Sequence, residues 1–209
     1  MNKKSKYLYK LQKNIVPIIQ NVKNPKILEL GVRHGISTNF FLEYCEKNDG
    51  KLYSVDIDDC AKVSSSNKWK FIQSRDDEYD KIIKETGSNF DLVFIDSFHN
   101  ANHVCKIIYL YFMDLKKKGH IFIDDISWIL YSKNNDRDNF NSEINNYETF
   151  LKILDILNAN MNQIEVSFDF ISSGFCKIKK IENEQLSNPK KIIQRNHSIK
   201  NLIRKIVSK

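Results

Sequence analysis

From Ile27 onward, short apolar runs alternate with longer segments of helical spacing. The runs Ile27 to Leu30, Leu52 to Val55, Lys70 to Gln73, Phe90 to Ile95 and His120 to Ile123 have the length and apolar content of strands buried on both faces of a sheet. Between them, Ser37 to Lys47, Asp76 to Glu85 and Ala101 to Lys117 repeat apolar residues at helical intervals, and Asp58 to Asn67 reads as a short helix or loop. Strands and helices alternating in this way predict an α/β fold, a doubly wound parallel sheet with helices on both faces.

The pattern differs at both ends. Lys6 to Val22 has one apolar stripe (Leu8, Leu11, Ile15, Ile18, Ile19), with Pro17 expected to break or kink the helix. The rhythm is broken after Ile126: Asp, Asn and Ser crowd Tyr131 to Ser142, a long polar loop expected to overhang the strand ends, with Trp128 and Tyr131 as lid aromatics or core contacts. Glu143 to Leu157 then reads as a helix. Gln163 to Phe168 and Ile171 to Ile178 read as two closing strands joined near Asp169, with Gly174 a candidate bulge. Ile192, Ile193, Ile199, Leu202, Ile203 and Ile206 fit one stripe of a further amphipathic helix. The expected organisation is a helical segment at 1–24, one domain at 25–180 and a basic tail at 181–209, amphipathic-helical or disordered.

Charge changes the picture little outside that tail. The formal charge is +7, and from residue 180 onward eight basic residues face two acidic ones, so almost all the excess is there. A near-neutral body argues against a broad nucleic-acid surface. Cys45, Cys60, Cys105 and Cys176 are too scattered for a disulfide scaffold or a structural zinc site, no run is long enough to span a membrane, and no signal-peptide core forms. A cytoplasmic protein is the expectation; the oligomeric state, a homo-oligomer included, is left open.

The candidate chemistry lies at the strand ends. Asp56, Asp96 and the pair Asp124 and Asp125 each follow an apolar run, so each falls at a strand's carboxyl end, where open α/β sheets bind ligands. Carboxylates gathered there repel one another, and a divalent cation or hydroxyl-rich cofactor would relieve them. The first strand runs into Glu29-Leu-Gly31-Val-Arg-His-Gly35, a nucleotide-type turn without the glycine pattern of a dinucleotide site. Gly31 would allow a close approach to a ligand, Gly35 close packing of helix on strand, and Ser37 with Thr38 would offer donors to a carboxylate. Asp56 lies 25 residues beyond Gly31, suited to a ribose diol, and Ser74 and Arg75 fall where an adenine edge would lie. A cofactor with an amino-acid end, a ribose and an adenine but no phosphate is S-adenosylmethionine. The bland readings are that Asp124, Asp125 and Asp76 cap turns or helices and that His34 faces solvent. His99 and His103 are four apart, but the residues between them lack the glutamate of a zinc protease, so His99 is preferred as a base and His103 as helix surface.

With Ile27 to Ser37, Val55 to Asp58, Phe90 to His99 and Lys117 to Asp125 in this order, the sequence resembles the class I S-adenosylmethionine-dependent methyltransferases over about residues 25 to 180. The last two segments resemble the metal-dependent O-methyltransferases of the catechol and sugar or antibiotic type. The resemblance implies sheet order 3-2-1-4-5-7-6 with the last strand antiparallel. It implies cofactor contacts at Glu29, Gly31, Ser37 and Asp56, and metal ligands (Mg²⁺ or another divalent cation) at Asp96, Asp124 and Asp125, with Asp96 also beside the cofactor. It implies a catalytic base at His99; Phe98 stands where relatives often carry a second acid. The expected activity is methylation of a hydroxyl on a small molecule such as a sugar or natural-product precursor. Two other classes stay open: an RNA or protein methyltransferase anchored by the basic tail, against which Asp96-Ser-Phe-His99 lacks the Pro-Pro motif that holds a planar amine, and a non-catalytic cofactor-binding scaffold.

Overall fold

The computed structural model describes residues 3–127, 140–192 and 198–207. Helix α1 (Lys3–Ile19) precedes β1 (Lys26–Leu30), α2 (Ile36–Lys47), β2 (Lys51–Asp56), β3 (Trp69–Gln73), α3 (Tyr79–Thr86), β4 (Phe90–Ile95) and α4 (Ala101–Phe112). Then come β5 (Leu115–Asp124), α5 (Phe140–Ala159), β6 (Ile164–Asp169), β7 (Phe175–Lys180) and α6 (Ile199–Val207). The sheet runs β3-β2-β1-β4-β5-β7-β6, the expected order, with β7 antiparallel to both β5 and β6. Trp128, Tyr131, Ile193 and most of the polar loop lie outside the described residues.

Alternation along the strands builds two apolar layers, because successive side chains leave opposite faces. Ile27, Leu92, Phe94 and Phe122 meet α1 and α2 through Leu11, Ile15, Ile19 and Phe41. Leu28, Val93, Ile95, Ile121 and Ile123 meet α3, α4 and α5 through Ile82, Val104, Ile108, Tyr111, Ile153 and Ile156.

Several boundaries differ from the sequence pattern. The helix expected to reach Lys117 ends at Phe112, and the next strand starts at Leu115 rather than His120. Buried Lys180 explains the stop: its ammonium donates to the carbonyls of Phe112 and Met113 at 3.1 and 3.4 Å, acceptors that the end of a helix leaves free, and to that of Leu115 in the next strand at 2.9 Å. The exposed Lys116 to Lys118 belong to the strand's outer end, where the register with β4 shifts. Pro17 stands in the last turn of α1, which ends two residues later. The stretch 58–67 holds no helix, and Gly174 precedes β7 instead of forming a bulge within it. Beyond β7 the chain docks back on the domain. Leu186 is buried, and Tyr109, Asn160 and Asp155 bond the backbone of Ser187, Lys190 and Ile192.

Candidate functional site

The carboxyl ends of β1 to β4 surround a cavity of about 590 Å³. Of the residues assigned to the cofactor from sequence, Gly31, Asp56, Ser74, Arg75 and Asp96 line it, whereas Glu29, Gly35 and Ser37 lie behind its wall. Gly31 has a structural role beside its place in the cavity wall, and Gly35 differs from expectation. At Gly31, with φ +103°, a Cβ would come within 2.2 Å of the Asp96 carbonyl, so the residue permits β1 and β4 to converge. Gly35 makes room for the Val63 side chain, not for a strand.

Asp56 holds the turn after β1. Its Oδ2 accepts the N–H groups of Val32 and Arg33 at 2.7 and 3.0 Å, and Oδ1 accepts that of Asp58 at 3.0 Å. Burial opposes its charge, but these amides and that of Ile57 outweigh burial and hold its pKa below the usual carboxylate range. A carboxylate has about four acceptor positions, so Asp56 keeps capacity for a ligand hydroxyl. Ser74 donates to Glu78, and the exposed Arg75 pairs with Asp77 at 2.9 Å.

Glu29 is fully buried under the turn. Its Oε2 accepts from Thr38 at 2.8 Å and Ser54 at 2.6 Å, while Oε1 has no hydrogen-bond partner. Burial pushes its pKa up to about 7, against the pull of the hydroxyls of Ser37, Ser54 and Thr38. A buried orphan acceptor is costly, and a cationic donor such as an amino group would complete it.

Beyond Asp96 the strand ends bring together the rest of the predicted set. His99 Nε2 lies 3.4 Å from Asp96 Oδ1 and 3.6 Å from Asp125 Oδ2. Burial lowers the His99 pKa, but Asp96 and Asp125 dominate and raise it to about 9, so the imidazole of the unliganded protein carries its proton at neutral pH. Asp125 itself has φ +56°, a backbone region sparse for non-glycine residues and tolerated best by Asp and Asn. Asp124 is buried, and burial and the nearby Asp96 drive its pKa upward.

Helix α1 also enters this centre. Tyr7 donates to Asp96 Oδ2 at 2.7 Å, Lys10 is ion-paired with Asp124, and Asn14 donates to Asp169 Oδ2 at 2.9 Å, where Lys13 pairs at the same distance. Burial and the charge of Asp96 raise the Tyr7 pKa far above its ordinary value, so the phenol stays a donor. His103 is not helix surface: its Nε2 sits 2.9 Å from both oxygens of Asp76, and both residues line the cavity. Asp76 accordingly does not cap α3, whose N-cap is Glu78.

Residues 28–126 match the profile of one family. Over these residues the chain matches a methyltransferase domain. Among solved structures, the domain is similar to MycE, a methyltransferase from the mycinamycin biosynthetic pathway solved with Mg and SAH. Identity is 19%, with 86% of this chain and 52% of MycE covered and a TM-score of 0.61. The chain therefore spans about half the length of MycE. It is also similar to a caffeoyl-CoA O-methyltransferase-like protein of Staphylococcus aureus, at 17% identity over 86% of this chain and 84% of that one with a TM-score of 0.59. An rRNA-methylase-like protein of Clostridium thermocellum matches at 16% identity over 85% and 97%, with a TM-score of 0.61. A search of the curated proteins finds no match.

Within the methyltransferase domain the assigned metal ligands do not fit a divalent cation as they stand. Such an ion takes several free oxygens. Here Asp124 is paired with a lysine, Asp96 accepts from Tyr7, and His99 lies between Asp96 and Asp125. Among the described residues no group of three His, Cys, Asp or Glu side chains has an arrangement that holds a metal. Sequence reasoning missed Tyr7, Lys10 and the Asp76–His103 pair. One signal for the first two was present: Tyr7, Lys10 and Asn14 share the helical face of Leu11 and Ile15, so Lys10 falls inside an apolar stripe.

Proposed function

We propose that the protein methylates a hydroxyl oxygen of a small molecule, of the sugar or natural-product precursor type, using S-adenosylmethionine. The observation that carries this reading is that Asp96 lines the cofactor-sized cavity and also lies 3.4 Å from His99, so the cavity and the acid–base centre share a wall. S-adenosylmethionine supplies an electrophilic methyl group on a sulfonium. Asp56 and Asp58 would receive its ribose hydroxyls, Ser74 and Arg75 would border its adenine, and Gly31 and Asp96 would flank its amino-acid end, with Glu29 buried behind them. The carboxylates lining the cavity suit a cofactor of net positive charge.

His99 is the group placed to take the acceptor's proton, and Asp96 and Asp125, both beside its Nε2, orient the ring. A positive charge bound beside Asp96 offsets the carboxylate that keeps His99 protonated, which would ready the imidazole as a base only in the loaded protein. The remaining catalysis is alignment of the hydroxyl with the methyl group.

Calorimetric titration with S-adenosylmethionine, followed by turnover on a panel of hydroxylated acceptors, tests this. The parent should bind the cofactor, and His99→Ala should bind it equally well while transferring no methyl. A fully active His99→Ala removes the base assignment, and a parent that binds no cofactor removes the enzymatic reading. Tight, salt-dependent RNA binding would favour the RNA reading instead.

A further inference from the structure

We propose that Lys10 is the built-in cation of the acidic centre: its ammonium holds Asp124 where a divalent ion would otherwise be held, and the transfer proceeds without a metal. This rests on the methyl-transfer reading for its function, and on geometry alone for its occupant.

Three observations support it. Lys10 is fully buried, and its ammonium is ion-paired with Asp124, donates to Ser173 Oγ at 3.0 Å and donates to the Gly174 carbonyl at 3.3 Å. An ammonium has three donors, and all three are used by the protein. Lys10 therefore offers nothing to a substrate and acts as a positioning residue. Second, the lysine is not a flexible surface chain that has folded inward. Its neighbours Leu11 and Ile15 are fully buried against the sheet and α2, so the backbone that carries Lys10 is fixed beside Asp124. Third, the arrangement extends along the helix. Tyr7, Lys10 and Asn14 form one row that meets Asp96, Asp124 and Asp169, the carboxylates at the ends of β4, β5 and β6. One helix face thus answers the repulsion that would otherwise call for an ion.

With one of the three central carboxylates neutralised from inside, Asp96 and Asp125 both stay beside Nε2 of His99, at 3.4 and 3.6 Å. Removal of the Lys10 charge would leave Asp124 buried beside Asp96 with no counter-ion, and Asp124 would then be free to take part in holding a divalent cation.

The test is a titration of Mn²⁺ into the full-length protein followed by electron paramagnetic resonance, with S-adenosylmethionine binding measured alongside. The parent should show no stoichiometric Mn²⁺ site, and its turnover should be unchanged by chelator. Lys10→Ala should gain about tenfold or more in Mn²⁺ affinity, and adding Asp124→Asn should abolish the gain. Stoichiometric Mn²⁺ binding by the parent that Asp124→Asn removes would overturn the proposal, as would a folded Lys10→Ala with no gain. If Lys10→Ala does not fold, the parent titration decides alone. Absence of both Mn²⁺ and cofactor binding by the parent would sink the methyl-transfer reading while leaving Lys10 as the occupant of the centre.

Discussion

Helices α1 and α6 are both short of charge on one side and basic on the other, yet they end up in opposite situations. In α1, Leu11, Ile15 and Ile19 are at most 1% exposed, whereas in α6 Ile199, Ile203 and Ile206 are 77%, 56% and 74% exposed. The difference lies in the polar residues as much as in the apolar stripe. In α1, Tyr7, Lys10, Lys13 and Asn14 meet acidic partners at strand ends, and Lys10 could be buried only because Asp124 was there to receive it. An apolar stripe makes burial favourable; complementary polar groups decide where the helix is seated.

Truncation should break this comparison most visibly. Removal of α1 strips the cover from Phe41 and Phe94 and should leave no folded protein in thermal melting, while truncation after residue 192 should leave the Tm unchanged. Single substitutions follow. Lys10→Ala should cost about 3–5 kcal/mol in denaturant unfolding because it strands a buried carboxylate, with much of the loss recovered in the double variant with Asp124→Asn. Ile15→Ala should cost about 3 kcal/mol, against no more than about 0.5 kcal/mol for Ile203→Ala. Asn14→Ala, which loses bonds to Asp169 and to the Lys10 carbonyl, should cost about 1 kcal/mol.

A further effect, seen only as the pH is lowered, concerns His120, which lines a cavity with Ile18 of α1. Burial, then Lys177 and Lys179, push its pKa down from 6.5 to about 4. The unfolded chain therefore holds more protons than the folded one between those values, and this contribution to stability, complete above pH 6.5, should be lost as the pH falls toward 4. His120→Gln should flatten that part of the urea-unfolding profile; an unchanged slope would show that His120 is not its source.

The fold was legible where strands are continuously apolar. Phe90–Ile95 was read to the residue, and the sheet order followed from the resemblance. It was not legible at Lys116 to Lys118, where an exposed strand end resembles a polar helix end and the deciding contact comes from distant Lys180. The site was legible as a set of strand-end carboxylates, because position on a strand is a local property. Their partners were not: the pairing of His103 with Asp76 and of Lys10 with Asp124 depends on how the layers stack, which no local spacing carries.

The partners of Lys10 lie 114, 163 and 164 positions further along the chain. During synthesis α1 leaves the ribosome well before β5 or the Ser173–Gly174 turn exists, so its apolar face must wait uncovered while the sheet is made. The acidic centre is then assembled as a late event, when the helix made before every strand is seated by residues made after nearly all of them. An incomplete nascent chain cannot contain this site.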